Sequence, residues 1–255
     1  MGTKEVRKRL RNLYIEENRT VIELKEYIYT KKLRQTTWAV GMTVAFRQNP
    51  TVCKTVESLA SAGWADPILF AEPNSNSVPS NVLVHWNEEV LGNWYNFCRR
   101  LKYMARMRAD RYLLVQDDVE FLPGTRQWVE DNWPCNDGVV SLYRSGQYSR
   151  LGGTEESNKA YDVLTYGKML LGALAIVMTQ EHVESVLLNL EAMFDGNICQ
   201  DDIKLGKLLH AIRVPINIIR KSRCQHIGET SSVYPHSKRI TNSRRADTYE
   251  NHRDI

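Results

Sequence analysis

The stretch YLLVQDDVEF, residues Tyr112 to Phe121, decides how this chain is read. Tyr112 to Gln116 forms a run apolar enough for a strand buried on both faces, and it ends in two adjacent carboxylates, Asp117 and Asp118. Like charges side by side at a strand end repel and lose hydration, so something positive has to compensate them. An arginine or lysine would do so structurally. A hard divalent cation is the other solution, because Mg²⁺ and Mn²⁺ take oxygen donors and are usually held by one or two carboxylates together with substrate phosphates.

Outward from this strand, strand and helix signals alternate from Thr37 onward. WAVGMTVAF (Trp38 to Phe46) is an apolar run rich in β-branched residues. The segment after it predicts a helix from about Pro50, with Val52, Val56 and Leu59 turned inward and Gly63 at its C-terminal cap. PILFAE reads as a strand, PNSNSVPSN as a turn-rich loop and NVLVHW as a further strand. LGNWYNFCRRLKYMARMRA places Leu91, Trp94, Tyr95, Cys98, Leu101 and Met104 along one helical face. Beyond YLLVQ, the segments GVVSLY, ALAIVM and VPINII read as strands, and EHVESVLLNL and DDIKLGKLLHAI as helices. Strands separated by helices imply an α/β fold, a single Rossmann-like domain whose mostly parallel central sheet is flanked by helices. Ligands on such sheets bind beyond the carboxyl ends of the strands, and the double aspartate stands at such an end.

Val6, Leu10, Leu13, Tyr14, Val21, Leu24, Tyr27 and Ile28 recur at near-helical spacing with charges between them. Residues 1–36 are therefore expected to form an N-terminal amphipathic helical extension, with the main domain over 37–232 and a basic tail over 233–255. A chain of 255 residues, 42% hydrophobic and 25% charged, suits one sizeable domain with a real core. No apolar run reaches the roughly 18 residues of a membrane span, and Lys4, Arg7, Lys8 and Arg9 are not followed by an apolar signal region. A soluble, unsecreted protein of the cytoplasm is expected. The five cysteines, Cys53, Cys98, Cys135, Cys199 and Cys224, never fall in CxxC spacing. That argues against a disulfide framework or a zinc knuckle. The net charge is +4, with basic residues gathered in KEVRKRLR at one end and HSKRITNSRRADTYENHRD at the other. These are solvated termini or an electrostatic footing for a polyanion such as nucleic acid.

Two further elements accompany the aspartate pair. Asp201 and Asp202 open a predicted helix, where either could cap the N-terminus or act as a general base. His226, in RCQHIGETSS, is followed by Gly228 and the hydroxyls of Thr230, Ser231 and Ser232, a run able to approach phosphate oxygens.

In this order, QDD at Gln116–Asp118, DD at Asp201–Asp202 and the late His226, the chain resembles the GT-A-fold, metal-dependent glycosyltransferases that use nucleotide-sugar donors. The resemblance runs from about Thr37 to Ser232, and its flavour is that of inverting members such as the N-acetylglucosaminyltransferases. It implies that Thr43, Ala45 and Arg47 line the nucleoside, that Glu72 meets the base, and that Gly92 and Asn93 open a helix beside it. The family's Asp-x-Asp motif falls on Gln116, Asp117 and Asp118, with Gln116 departing from the first acid. That makes Asp118 the implied metal ligand with His226, and leaves Asp117 for the ribose or donor sugar. Asp202, with Asp201 as its competitor, is the implied base, and Ser231 and Ser232 lie by the diphosphate. Arg47 or Arg223 would add positive charge there. The implied cofactors are Mn²⁺ or Mg²⁺ and a nucleotide-sugar donor, a UDP-sugar by preference.

The acceptor hydroxyl is open. A glycan or surface polymer is one class. The other is 5-hydroxymethylpyrimidine in DNA, the acceptor of phage and base-J glucosyltransferases, which would place a phage-encoded enzyme in the host cytoplasm. Tyr143, Tyr148, Tyr161 and Tyr166 read either as exposed aromatics for an extruded base or as loop packing. From another class, a metal-dependent nucleotidyltransferase or phosphoesterase would also use paired carboxylates.

Overall fold

The computed structural model describes residues 35–134, 136–190 and 201–228, together with Ala246 and Tyr249. The expected helical extension, apart from Gln35 and Thr36, and nearly all of the basic tail lie outside the described residues. The first part of the domain runs β1 (Trp38–Val44), α1 (Val52–Ala62), β2 (Ile68–Ala71), β3 (Val84–Trp86), α2 (Gly92–Met104), β4 (Arg111–Gln116), β5 (Val119–Phe121) and α3 (Thr125–Asp131). It continues with β6 (Val139–Ser141), α4 (Gly146–Leu151), β7 (Thr154–Glu156), β8 (Tyr161–Leu164), β9 (Ala175–Thr179), α5 (Gln180–Asn189), α6 (Asp201–Ala211), β10 (Ile216–Ile219) and β11 (Cys224–His226).

Among the described residues nine strands form one sheet in the order β3-β2-β1-β4-β9-β6-β10-β8-β7. The pairs β3–β2, β2–β1, β1–β4 and β6–β10 are parallel, whereas β9 is antiparallel to both β4 and β6, and β8 to both β10 and β7. Seven of the nine strands therefore share one direction, so the sheet is mostly parallel. An apolar run carries no mark of its own direction, which is why the reversal of β9 is not legible in ALAIVM.

Side chains alternate across β4, and the two faces bury against different helices. Tyr112 and Leu114 pack with Phe97, Leu101 and Met104 of α2, Val183 of α5 and Leu205 of α6. Leu113 and Val115 pack on the other side with Val52 and Leu59 of α1 and Val129 of α3. Burying a Leu or Val side chain contributes roughly 1.5–3 kcal/mol, so the two sheet faces carry the fold and leave the strand ends free for chemistry. The apolar residues that α2 buries are Trp94, Phe97, Cys98, Leu101 and Met104, and Asn96 and Arg100 are buried beside them. Tyr95, expected on the apolar face, is 54% exposed, because it stands one residue, or 100°, away from the stripe set by Trp94.

Three topological consequences position the site. Because β1 and β4 are parallel, Val44 and Gln116 end at the same sheet edge. Because β9 runs the other way, its first residues meet that edge. A small second sheet pairs β11 antiparallel with β5, setting His226 opposite Val119.

Gly63 closes α1 in a left-handed conformation with φ of 101°, and a Cβ there would sit 3.2 Å from Arg126 Cβ. Gly63→Ala is expected to cost about 1 kcal/mol and to lower the midpoint of thermal unfolding by roughly 2–4 °C. An unchanged midpoint would show that this cap is not strained.

Candidate active site

The acidic pair is buried at the sheet edge, Asp117 at 3% exposure and Asp118 at 2%. Arg47, from the turn after β1, reaches both. Its Nε and Nη2 donate to Asp117 Oδ1 at 2.9 and 2.6 Å, and Nη2 stands 2.9 Å from Asp118 Oδ2. Ala45 N donates to Asp117 Oδ2 at 3.1 Å. The turn itself is bolted to α1: the hydroxyls of Thr51 and Thr55 both donate to the Asp117 carbonyl at 2.8 Å, and Val119 N donates to Thr55 Oγ1. Thr51 and Thr55 are absent from the sequence reading. Their only signal there was a hydroxyl-bearing helix start beside the end of a neighbouring strand.

His226 arrives from the other side. Its Nε2 lies 2.7 Å from Asp118 Oδ2, and Ile227 N donates to the Asp118 carbonyl at 2.8 Å. Gln225 Oε1 accepts from His226 N and Ala246 N, which steadies the strand that carries the imidazole. A Cβ on Gly228 would come within 2.6 Å of Asp118 Oδ2, so only bare backbone lets the chain after His226 close over the carboxylate. Burial alone would raise the Asp118 carboxyl. His226 and Arg47 outweigh that and hold it well below the usual carboxylate range. Asp117 is pushed the other way by burial, with Arg47 opposing and the neighbouring Asp118 adding to the rise.

The suitability of this set for a divalent cation can be judged from its donors. One guanidinium charge faces two carboxylates, so the pair keeps net negative charge when both are ionised. Asp118 Oδ1 and His226 Nδ1 are buried, and among the described residues neither finds a hydrogen-bond partner. Among the described residues no three His, Cys, Asp or Glu side chains converge on a metal position. A cation here would therefore have two protein donors, Asp118 and His226. Phosphate and water would supply the rest, the usual manner of holding Mg²⁺. Arg47 Nη2 and His226 Nε2 both occupy Asp118 Oδ2, so the arginine of the structural alternative is the partner in place, and a cation shared by Asp118 and His226 would replace their mutual contact.

The second carboxylate pair meets the first through Gln116. Because α6 leads into β10, which runs with β4, its N-terminus returns to the same edge. There Gln116 Nε2 donates to Asp201 Oδ2 at 3.1 Å, and Asp202 N donates to Asp201 Oδ1 at 3.0 Å. Asp202 is engaged differently, accepting Gly172 N on one oxygen and Ile203 N on the other, so it pins the segment leading into β9. Burial and the adjacent Asp202 push the Asp201 carboxyl up to about 6, against the pull of Arg100.

The remaining expected residues surround this edge. Thr43 is half-buried near the end of β1. Glu72 is buried and accepts Leu91 N, Gly92 N and Asn87 Nδ2, each at 3.0 Å, so its carboxylate holds the first turn of α2. Gly92 has φ of 74° and an open space where a Cβ would stand, and Asn93 beside it is half-buried. Arg223 stands over the Trp128 ring at 4.9 Å. Ser231 and Ser232 lie outside the described residues. The exposed-aromatic reading needs correction for three of its four tyrosines: Tyr143, Tyr148 and Tyr161 are 2%, 3% and 0% exposed, while Tyr166 is 76% exposed. Their rings pack in the core, and Tyr148 OH accepts Leu171 N at 2.7 Å.

No family model and no curated protein sequence matches this chain. Solved structures resemble it at low identity. HddC from Yersinia pseudotuberculosis aligns with 63% of this chain and 87% of its own, at 13% identity and a TM-score of 0.40. A putative glucose-1-phosphate thymidylyltransferase from Bacillus anthracis, in complex with sucrose, aligns with 74% of this chain and 89% of its own, at 10% identity and a TM-score of 0.48. Likenesses this distant carry no reading of the site, which rests on the chain's own residues. Among the described residues no helix is long and apolar enough to cross a membrane.

A carboxyl raised to about 6 in the folded state, against about 3.9 unfolded, binds more protons folded than unfolded between those values. Stability therefore falls as pH rises through that window, and the penalty persists above it. Asp201→Asn should then be more stable than the parent by about 1–2 kcal/mol at pH 7.5, with the gain disappearing near pH 4. Urea unfolding at the two pH values reads this directly, and a variant less stable at pH 7.5 would contradict the assignment.

Proposed function

We propose that this chain is a divalent-metal-dependent transferase that moves a sugar from a nucleoside-diphosphate donor, preferably a UDP-sugar, to an acceptor hydroxyl. The supporting observation is the meeting, at one sheet edge, of Asp118 and His226 with an orphaned carboxylate oxygen between strand ends, and of Asp201 tied to the same edge by Gln116. Asp118 and His226 would hold Mn²⁺ or Mg²⁺. When bound, the ion supplies Lewis-acid neutralisation of the charge that develops on the departing nucleoside diphosphate.

The protein's own groups do the rest. Arg47 keeps the acidic pair in place and brings positive charge to the edge where the diphosphate would lie. Asp201 takes the proton of the acceptor hydroxyl as that oxygen bonds to the anomeric carbon, and the bond from the anomeric carbon to the diphosphate oxygen breaks on the opposite face. One base on one face gives inversion. Asp201 is preferred to Asp202 because one of its oxygens is held by the side-chain amide of Gln116 at the end of β4 and the other by a backbone N–H, whereas both oxygens of Asp202 accept backbone N–H groups. A carboxyl near 6 is ionised at neutral pH yet basic enough to accept a proton. Thr43, Ala45, Gly92 and Asn93 would line the nucleoside, with Glu72 fixing the turn that carries Gly92. Asp117, engaged by Arg47 and Ala45, would act on the donor by holding Arg47, and Ser231 and Ser232 would lie by the diphosphate.

Incubation with a panel of nucleotide sugars and Mn²⁺ should release nucleoside diphosphate, faster when an acceptor is present. Asp118→Ala should abolish that release, and Asp201→Asn should bind donor normally while turning over roughly 10² to 10⁴ times more slowly. Pyrophosphate release from a nucleoside triphosphate and sugar phosphate, without sugar transfer, would instead identify a nucleotidyltransferase. For the acceptor, duplex DNA with and without 5-hydroxymethylpyrimidine is set against glycan hydroxyls. With three of the four tyrosines buried, the DNA arm rests on Tyr166 and the basic termini.

A further inference from the structure

Behind the site lies a charge that neither the fold nor the proposed reaction has accounted for. Arg100, on α2, is 2% exposed. Its Nη1 donates to the carbonyls of Gly41 at 3.1 Å and Val115 at 2.6 Å, which lie on β1 and β4, and its Cζ stands 5.4 Å from the centre of the Phe97 ring. Its Nε has no partner among the described residues. Among the described residues no carboxylate comes within ion-pair distance of it. The fold makes room for this side chain: a Cβ on Gly41 would fall 3.1 Å from Arg100 Cγ and Cδ and 2.2 Å from Met104 Sδ.

A guanidinium sealed in an apolar layer with two carbonyls and the Phe97 ring for company is costly, since a buried charge without a counter-ion at ion-pair distance loses its hydration and receives little in return. A methionine or leucine would fill the same space without that cost. The position of Arg100 supplies what a hydrophobic residue could not. It grips the carbonyl of Val115, and the next residue along β4 is Gln116, whose amide holds Asp201. A fixed positive charge thus lies under the end of β4, whose Gln116 holds the first aspartate of α6, in surroundings of low polarity where its field reaches far. We propose that Arg100 is a positioning residue of the cleft, a buried and permanently charged group that keeps Asp201 in the ionised, proton-accepting form.

The balance of charges supports this. Among the described residues, the charged groups acting on Asp201 are Asp202 on its own helix, which opposes ionisation, and Arg100 on α2, which favours it; Gln116 on β4 adds a neutral amide. The same interaction works back on Arg100: burial depresses its guanidinium to about 10, and Asp201 is the largest influence in the other direction. Even so, Arg100 remains charged at neutral pH.

The inference rests on Asp201 being the proton acceptor, and the test separates the two. In protein labelled at the aspartate side-chain carbons, with Asp201→Asn to assign the signal, NMR titration reads the Asp201 midpoint without any reaction. Arg100→Met should raise that midpoint by about one pH unit, the usual effect of removing a nearby opposite charge, and Arg100→Lys should return it close to the parent value. If Arg100→Met does not fold, Arg100→Gln removes the charge while retaining a donor for Val115, and the same rise is expected. An unmoved midpoint in the uncharged variants overturns the proposal. In a transfer assay the acid limb of the kcat profile should move up with the midpoint, with donor binding unchanged. A shifted midpoint with an unshifted acid limb would leave the electrostatic link standing and remove Asp201 as the base.

Discussion

The burial of Asp117 and Asp118 side by side, bridged by the single guanidinium of Arg47, constrains everything around it. Two carboxylates cannot be withdrawn from water at a sheet edge unless positive charge and hydrogen-bond donors are brought to them. The surrounding chain is arranged to do that. The turn after β1 delivers Arg47 and the Ala45 amide, the start of α1 delivers two hydroxyls, and β11 delivers an imidazole. Removing one partner of a buried pair like this typically costs 3–5 kcal/mol because the other charge is stranded. The arrangement is accordingly expensive to hold and poorly explained by stability alone. The carboxylate oxygen left without a partner on Asp118 is the place where the compensation stops short.

Chain direction explains why groups so far apart in sequence share one edge. β1 and β4 run together, so their ends are neighbours. β9 runs against them, so the segment that Asp202 grips enters from the same side. α6 must run back along the sheet before β10, which places Asp201 where β4 ends. Beneath these loops the two apolar layers hold the strand ends rigid, so Gln116 can link the aspartate pair to Asp201 and Arg100 can hold its charge against the underside of β4.

Much of this was legible in the sequence. Apolar runs with helical spacing between them announced β1, β4 and α1, and the mostly parallel sheet followed. The acidic end of β4, the paired aspartates of α6 and His226 were each visible as residues out of place in their surroundings, and the structure brings them to one edge. What escaped notice has physical reasons. β5 and β11 are three residues each, too short for a period of two to register, yet their pairing is what carries His226 to Asp118. Tyr148 lies in α4 and Tyr161 opens β8, elements of six and four residues whose tertiary placement, not their local pattern, buries the rings. Arg100 lies on the buried side of α2, where an arginine ordinarily marks the solvent face, and only packing reveals it. The roles of Asp117 and Glu72 were equally hidden, because a carboxylate that binds a ligand and one that holds a turn look alike until its hydrogen bonds are seen.

The central claim is that Asp118 and His226 together present a cation to a diphosphate. Its most direct test is electron paramagnetic resonance of Mn²⁺ added to the protein with UDP, reading the magnetic coupling between the ion and directly bound nitrogen. The account predicts a nitrogen coupling from one imidazole in the parent protein, lost in His226→Gln, together with markedly weaker Mn²⁺ binding in Asp118→Asn. Mn²⁺ that binds equally well to all three proteins, or that shows no bound nitrogen in the parent, would contradict it.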